Sequence, residues 1–220
     1  MVVIGSPPCT VFSQLQTMNM HTQNTKWMEE YEVRKQKAIR HIEFCVGLYK
    51  LQMAEGRHFL HEHPEGASSW RLSRMEDLLK QAGVWTVNAD LCMYGMTVTC
   101  KGVTKPAKKP TRFATNAWCV AEALGRRCDK SHEHIDLLEG RAAQAAVYPR
   151  KLCEAISKAV AQQIAFDRRG LVCLSHGSKG EMKSFLHSLC VDHGLKTYFE
   201  TQVSTIGPKA EVRRKSSLVH

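Results

Sequence analysis

Met1 to Ile4 is a short apolar run ending in Gly5-Ser6-Pro7-Pro8, the pattern of a buried strand stopped by a rigid loop. From about Trp27 to Ala54, apolar side chains recur at steps of three and four: Ile39, Ile42, Val46, Tyr49 and Met53. Lys35, Arg40, Glu43 and Lys50 face elsewhere. That period is helical, and Gly56 supplies a stop. His58-Phe59-Leu60 makes a second short strand, halted at Pro64. Strand, long helix and strand form a βαβ unit, which predicts parallel strands. Arg71 to Gly83 predicts another helix with Met75, Leu78 and Leu79 inward, and Val84 to Ala89 a third strand. Thr97 to Thr115 is polar, basic and broken by Pro and Gly, so it reads as loop with one short strand near Arg112 to Thr115. Ala143 to Phe166 predicts a late helix carrying Leu152, Ile156, Val160 and Ile164 on one face. After Arg168-Arg169-Gly170, Leu171 to Leu174 reads as a strand and Lys179 to His193 as a helix. The basic, Ser-containing tail from Gly207 reads as disordered.

These elements predict an α/β chain with a mostly parallel sheet and flanking helices. The expected organisation is a main domain over residues 1–166, a small α/β appendage over 167–206 and a tail over 207–220. A chain of 220 residues with 43% hydrophobic and 24% charged residues has the composition of an ordinary globular protein. No apolar run reaches the roughly 18 residues of a membrane span. The N-terminal MVVIGSPPC lacks the basic flank and long apolar region of a secretory signal. The expectation is a nuclear or cytoplasmic protein, neither secreted nor in a membrane. Nine cysteines, scattered without a framework of short spacings, fit reduced thiols.

A net charge of +10 favours a polyanionic partner. The distribution sharpens this. Lys101, Lys105, Lys108, Lys109 and Arg112 fall in a stretch with no acidic residue between Lys101 and Thr115, with Phe113 and Trp118 close behind. Such a cluster is either a nucleic-acid contact or a solvated loop.

In open α/β sheets, reacting groups gather past the carboxyl ends of parallel strands. Cys9 follows the first strand and Glu62 lies at the end of the second. A cysteine there is either a buried inert thiol or a nucleophile activated by backbone N–H groups and nearby cations. Glu62 is either a solvated strand-end carboxylate or its partner. Separately, Cys119, Cys128, His132 and His134 have ligand types for zinc in a Cys-x8-Cys-x3-His-x-His arrangement, which is not a familiar finger spacing. A structural metal and a polar loop with incidental cysteines both remain open. His61-Glu62-His63 is not the His-Glu-x-x-His of a zincin, and Pro8-Cys9 lacks the second Cys of a zinc deaminase.

Gly5-Ser6-Pro7-Pro8-Cys9-Thr10-Val11-Phe12-Ser13 resembles the Pro-Cys motif of cytosine-C5 DNA methyltransferases, Gly-Pro-Pro-Cys-Gln-x-Phe-Ser, with Thr10 where Gln is usual. Glu62-His63-Pro64 resembles the family's Glu-Asn-Val or Glu-Asn-Pro, with His in place of Asn. The stretch from Cys92-Met93-Tyr94-Gly95 to Lys109-Pro110-Thr111-Arg112-Phe113-Ala114-Thr115-Asn116 is similar to phage- and mobile-element-type members. Ala145-Ala146-Val147-Tyr148-Pro149, ahead of the late helix, resembles the last motif, where Gly-Asn-Ala-Val-Pro is usual.

The resemblance implies a partial Rossmann-like, methyltransferase-type fold. Cys9 would add to C6 of a flipped cytosine, and Glu62 would hold N3 and the exocyclic amine. Pro8, Ser13, His63 and Arg112 would contact the base, Arg112 as the family's pocket arginine. Lys101, Lys105, Lys108 and Lys109 would hold DNA, and S-adenosylmethionine would be the methyl donor. Neither the family's Gln-x-Arg-x-Arg nor a Phe-x-Gly-x-Gly ahead of Cys9 is present. The expectation is therefore a fragment, a split enzyme whose second chain supplies the cofactor half, or a degenerate copy from a mobile element. A noncatalytic nucleic-acid-binding module is the alternative, and a structural α/β protein with coincident motifs a third reading.

Overall fold

β2 (His58–Pro64) is buried along nearly its whole length because it lies inside a four-stranded sheet covered on both faces. The spatial order is β1 (Val2–Gly5), β2, β6 (Pro110–Thr115) and β3 (Trp85–Asp90). In the computed structural model the residues described are 2–13, 16, 23–138, 140–168, 171–174 and 211–214. They fall into two compact units, Met1–Val160 and Ala161–His220.

β1 and β2 pair in parallel, with Val2 opposite His58 and Gly5 opposite His61. β6 is antiparallel to both β2 and β3. The sheet is thus mixed, where a mostly parallel one was expected: β1, β2 and β3 share one direction and β6 is inserted against them. The reason lies in the connection. A parallel partner needs a crossover, usually through a helix. Between β3 and β6 the chain instead makes a hairpin of β4 (Thr97–Cys100) and β5 (Val103–Pro106). Lys101 and Gly102 at its tip have φ of 50° and 76°, the left-handed pair of a tight two-residue turn. The hairpin stands where the sequence predicted loop.

α1 (Thr25–Ala54) connects the parallel strands and starts at Asn24, whose side chain accepts from Trp27 N at 2.9 Å. Its buried Ile42, Cys45, Val46 and Tyr49 meet Phe59 of β2 and Trp70, Met75 and Leu78 on one face of the sheet. α2 (Ser73–Leu79) is shorter than expected, because a 3-10 turn at Ser68–Arg71 precedes it. The other face holds Leu60, Leu91, Tyr94, Phe113, Val120, Leu124, Leu152 and Ile156. α3 (Trp118–Leu124), unforeseen in the sequence, contributes to that layer, as does α4 (Arg150–Arg168). The late helix begins after Pro149, whose carbonyl accepts from Leu152 N and Cys153 N, and a 3-10 turn at Arg141–Ala146 replaces its expected first turns. Alternation along β2 therefore sends Phe59, His61 and His63 to one face and Leu60 and Glu62 to the other.

In the second unit, β7 (Leu171–Leu174) pairs antiparallel with β8 (Glu211–Arg214). The strand expected at Leu171 to Leu174 is present, and β8 falls within the tail read as disordered. The expected helix over Lys179 to His193 and the rest of the tail lie outside the described residues. Among the described residues, no helix is long and apolar enough to cross a membrane.

Candidate active site

The carboxyl end of β1 runs into Pro7-Pro8-Cys9, and this loop is pinned from several sides. Val11 O accepts from the Tyr31 hydroxyl of α1 at 2.9 Å. Pro7 O lies 3.0 Å from His63 Nε2 on β2. A carbonyl only accepts, so Nε2 carries the proton, and Nδ1 is left to accept from the Ser69 hydroxyl at 2.6 Å. His63 stands where the resemblance expects Asn, and it ties the cysteine loop to β2. Burial lowers its basicity, keeping the ring neutral as this arrangement requires. Phe12 is buried with its ring tilted against His63, centroids 5.8 Å apart. Cys9 itself caps a 3-10 turn at Thr10–Phe12, with Phe12 N donating to its carbonyl at 3.0 Å.

Glu62 leaves β2 on the opposite face and is only 5% exposed. Its Oε2 accepts from Ser6 Oγ at 2.6 Å and from the Tyr148 hydroxyl at 2.7 Å. Its Oε1 is buried and has no hydrogen-bond partner among the described residues. A buried carboxylate oxygen left unpaired costs on the order of 1–3 kcal/mol or more. One oxygen is thus locked by two hydroxyls and the other is buried without a partner among the described residues. Burial and the Glu62 charge push the Tyr148 phenol up, so it stays a donor.

The Cys9 thiol is half-buried and held above its ordinary value, first by burial and then by the charge of Glu62. The Lys109 ammonium and a backbone hydrogen bond pull it the other way. Lys109 Nζ donates to Ala145 O at 3.2 Å and lies 6.0 Å from the Tyr148 ring centre. Cys9, Glu62 and Lys109 thus form one electrostatic cluster, with Ser6 and Tyr148 fixing the carboxylate. Neither Ser6 nor Tyr148 was singled out in the sequence.

The remaining expected residues lie elsewhere. Arg112 pairs with His63 across the strands, and Phe113 with Glu62. The Arg112 side chain consequently leaves the face opposite Glu62, where it stacks 5.3 Å from the Trp70 ring centre and donates to Asn88 Oδ1 at 3.2 Å. It is not a pocket arginine beside Glu62. Ser13, expected to contact the base, closes the 3-10 turn, its N–H donating to Thr10 O at 3.3 Å, and the serine that meets the carboxylate is Ser6. Lys101 sits exposed at the hairpin tip. Lys105 Nζ pairs with Glu133 at 2.9 Å, and Lys108 Nζ lies 3.8 Å from the buried Asp90 carboxylate. The acidic partners absent from the sequence stretch arrive by folding. Pro8 is exposed and joins Thr10, Val11 and the α1 residues Arg34, Lys37 and Arg40 in lining an open cleft of about 670 Å³ on the outer side of the loop. Cys119 is buried on α3, whereas Cys128, His132 and His134 group with Cys92.

Among the described residues, the end of β1 offers no open glycine cradle for S-adenosylmethionine. A cofactor cradle at a strand end needs open backbone at its glycines. Gly5, the glycine at the end of β1, is instead closed off by the Tyr49 hydroxyl, which any added Cβ would strike. That hydroxyl also meets His61 Nδ1 at 2.9 Å, in packing that belongs to the core. Comparison of the chain with protein-family models, curated proteins and solved structures found no match.

Proposed function

We propose that the first unit is the base-attacking part of a cytosine-C5 DNA methyltransferase-like domain with a Rossmann-like sheet, acting on a cytosine swung out of DNA. The observation that carries this reading is the buried, partnerless Oε1 of Glu62 beside the Cys9 loop. The co-directional β1 and β2, which bring both groups to one sheet end, support it.

Cys9 loses its proton to solvent, and the thiolate adds to C6, forming a C–S bond while the C5=C6 electron pair moves to C5. Oε1 accepts from the exocyclic amine or from a proton at N3, stabilising the charge pushed into the ring. C5 takes a proton from water, then gives up its original hydrogen as a proton, and elimination of the thiolate restores cytosine. This cycle needs no methyl donor. Donation from S-adenosylmethionine calls for a site that the described end of β1 does not build, and a second chain is the proposed source of it. The cations best placed for DNA phosphates are Arg34, Lys37 and Arg40, beside the Cys9 loop. Lys105 and Lys108 already face carboxylates.

The test is release of tritium from DNA carrying 5-tritiated cytosine, without added donor. Release that is lost in Cys9→Ala is the expected result. The raised Cys9 thiol favours a second reading, a noncatalytic nucleic-acid-binding module derived from a mobile element. Salt-sensitive DNA binding with no tritium release would establish that reading and overturn the first.

A further inference from the structure

We infer that Cys92, Cys128, His132 and His134 form a structural zinc site that clamps the irregular segment 125–140 to the end of β3. This inference does not rest on the reading of Cys9 and Glu62.

The four ligand atoms lie within 4.8 Å of one another. Cys128 Sγ is 3.7 Å from His132 Nε2 and 3.5 Å from His134 Nε2, and His134 Nε2 is 3.4 Å from Cys92 Sγ. Tetrahedral zinc, with Zn–S of about 2.3 Å and Zn–N of about 2.0–2.1 Å, separates adjacent S and N ligands by roughly 3.5 Å. The observed edges match that figure. Two thiolates and two imidazoles are zinc's ligand types, and four protein ligands make a closed, structural centre. Binding forms two Zn–S and two Zn–N bonds and releases two thiol protons to solvent, leaving a neutral core.

The surroundings are built for thiolates. Lys130 adopts φ of 64°, a left-handed conformation uncommon for a residue with a side chain. This geometry accompanies a hydrogen bond from its N–H to Cys128 Sγ at 3.3 Å. Cys128 N donates to the buried Asp90 carboxylate at 2.9 Å, which fixes the ligand's backbone to the last residue of β3. Cys92 follows directly, in a 3-10 turn at Leu91–Tyr94.

The segment needs such a clamp. The described residues of 125–140 form neither helix nor strand, and a loop this long without its own elements is uncommon in a compact domain. Once held, it places Arg127 against Glu65 at 2.8 Å, just past the end of β2, and Ile135 N against Pro106 O at 2.9 Å. The loop thereby braces the strand end that carries Glu62.

The experiment is metal analysis of the full chain purified without chelators, followed by cobalt exchange. Stoichiometric zinc is expected, with cobalt giving tetrahedral d–d bands and a thiolate charge-transfer band. Cys92→Ser, Cys128→Ser and His134→Ala should lose the metal, and Cys119→Ser should keep it. Because a ligand variant can fail to fold, His132→Cys supplies the second arm: it retains four ligands and should bind cobalt with a stronger charge-transfer band. Folded protein that binds neither metal, a Cys92–Cys128 disulfide in its place, or metal lost in Cys119→Ser but kept in Cys92→Ser would each overturn the inference.

Discussion

The cysteine past β1 stands beside a carboxylate and an ammonium, whereas Cys128 in segment 125–140 stands beside a second thiol and two imidazoles. Beside Cys9, two hydroxyls satisfy Oε2 of Glu62 while its Oε1 has no partner among the described residues, and in the proposed function that acceptor is what the base engages. Around Cys128 the polar atoms converge on one another, so what they need is a cation at their centre. The two environments teach that a cysteine's role follows from what surrounds it: in the proposed readings, a substrate site leaves an acceptor open, and a site for a resident ion closes on itself.

The sharpest way to break this comparison is to exchange the lesions. Cys9→Ala should lower tritium release by about three orders of magnitude or more, as loss of a nucleophile does, while leaving zinc content unchanged. Cys128→Ser should do the reverse to zinc. If Cys9→Ala emptied the metal site, or left tritium release intact, the division of labour would be wrong.

A smaller effect is expected at the carboxylate. Tyr148→Phe removes one of the two donors to Oε2 and leaves the ring's packing in place. A hydrogen bond to a charged group is worth about 1.5–3 kcal/mol, so release should fall by roughly 10- to 100-fold. Zinc content and circular dichroism should not move. An unchanged rate would mean that Ser6 alone holds Glu62.

How much of this the sequence made legible follows from distance along the chain. The parallel pair β1 and β2 and the helix between them were readable because the hydrophobic period and the stop residues are local. The placement of Cys9 in the loop after β1 and of Glu62 near the end of β2 was readable for the same reason, because both positions follow from local strand and stop signals. The antiparallel β6 was not, because its direction is set by the β4–β5 hairpin, whose Lys101-Gly102 tip lacks the usual Asn-Gly signal. Tyr148 reaches Glu62 only through the packing of the layer that holds Leu60 and Leu152. Of the four candidate metal ligands left open in the sequence, the proposed site keeps three. Cys119 was nearest in the chain, but α3 buries it in the core, while Cys92 arrives from the far end of β3. Arg112 missed its expected place by one residue of register, which in a strand is the whole difference between two faces.

The comparison also separates by pH. His61, beneath the Cys9 loop, is lowered from 6.5 to about 3 by burial and by neighbouring His63. The unfolded chain therefore binds a proton between those values that the folded one refuses. Stability is full above pH 6.5 and falls as pH drops toward 3, by about 1.4 kcal/mol per unit. Urea midpoints across that window should show the slope, and His61→Phe with Tyr49→Phe should flatten it. Acid release of zinc is common to both proteins and cancels in their difference. Equal slopes would remove His61 as the cause.

The finest distinction is the reactivity of the two cysteines toward iodoacetamide, followed residue by residue with peptide mass spectrometry. Only the thiolate alkylates, so the rate at Cys9 should rise with pH to a midpoint above that of an ordinary thiol. Glu62→Gln removes a negative charge that disfavours the thiolate, so the midpoint should move down. Lys109→Met removes a positive charge that favours it, so the midpoint should move up. Burial, the largest cause, is retained in both variants, so neither should restore ordinary behaviour. Cys128 should resist alkylation over the same range and become reactive only when a chelator is added, because its electron pair is committed to the metal. Midpoints at Cys9 that stay put in both variants would show that desolvation alone sets the thiol. Glu62 and Lys109 would then be bystanders rather than the opposed charges that this site is built around.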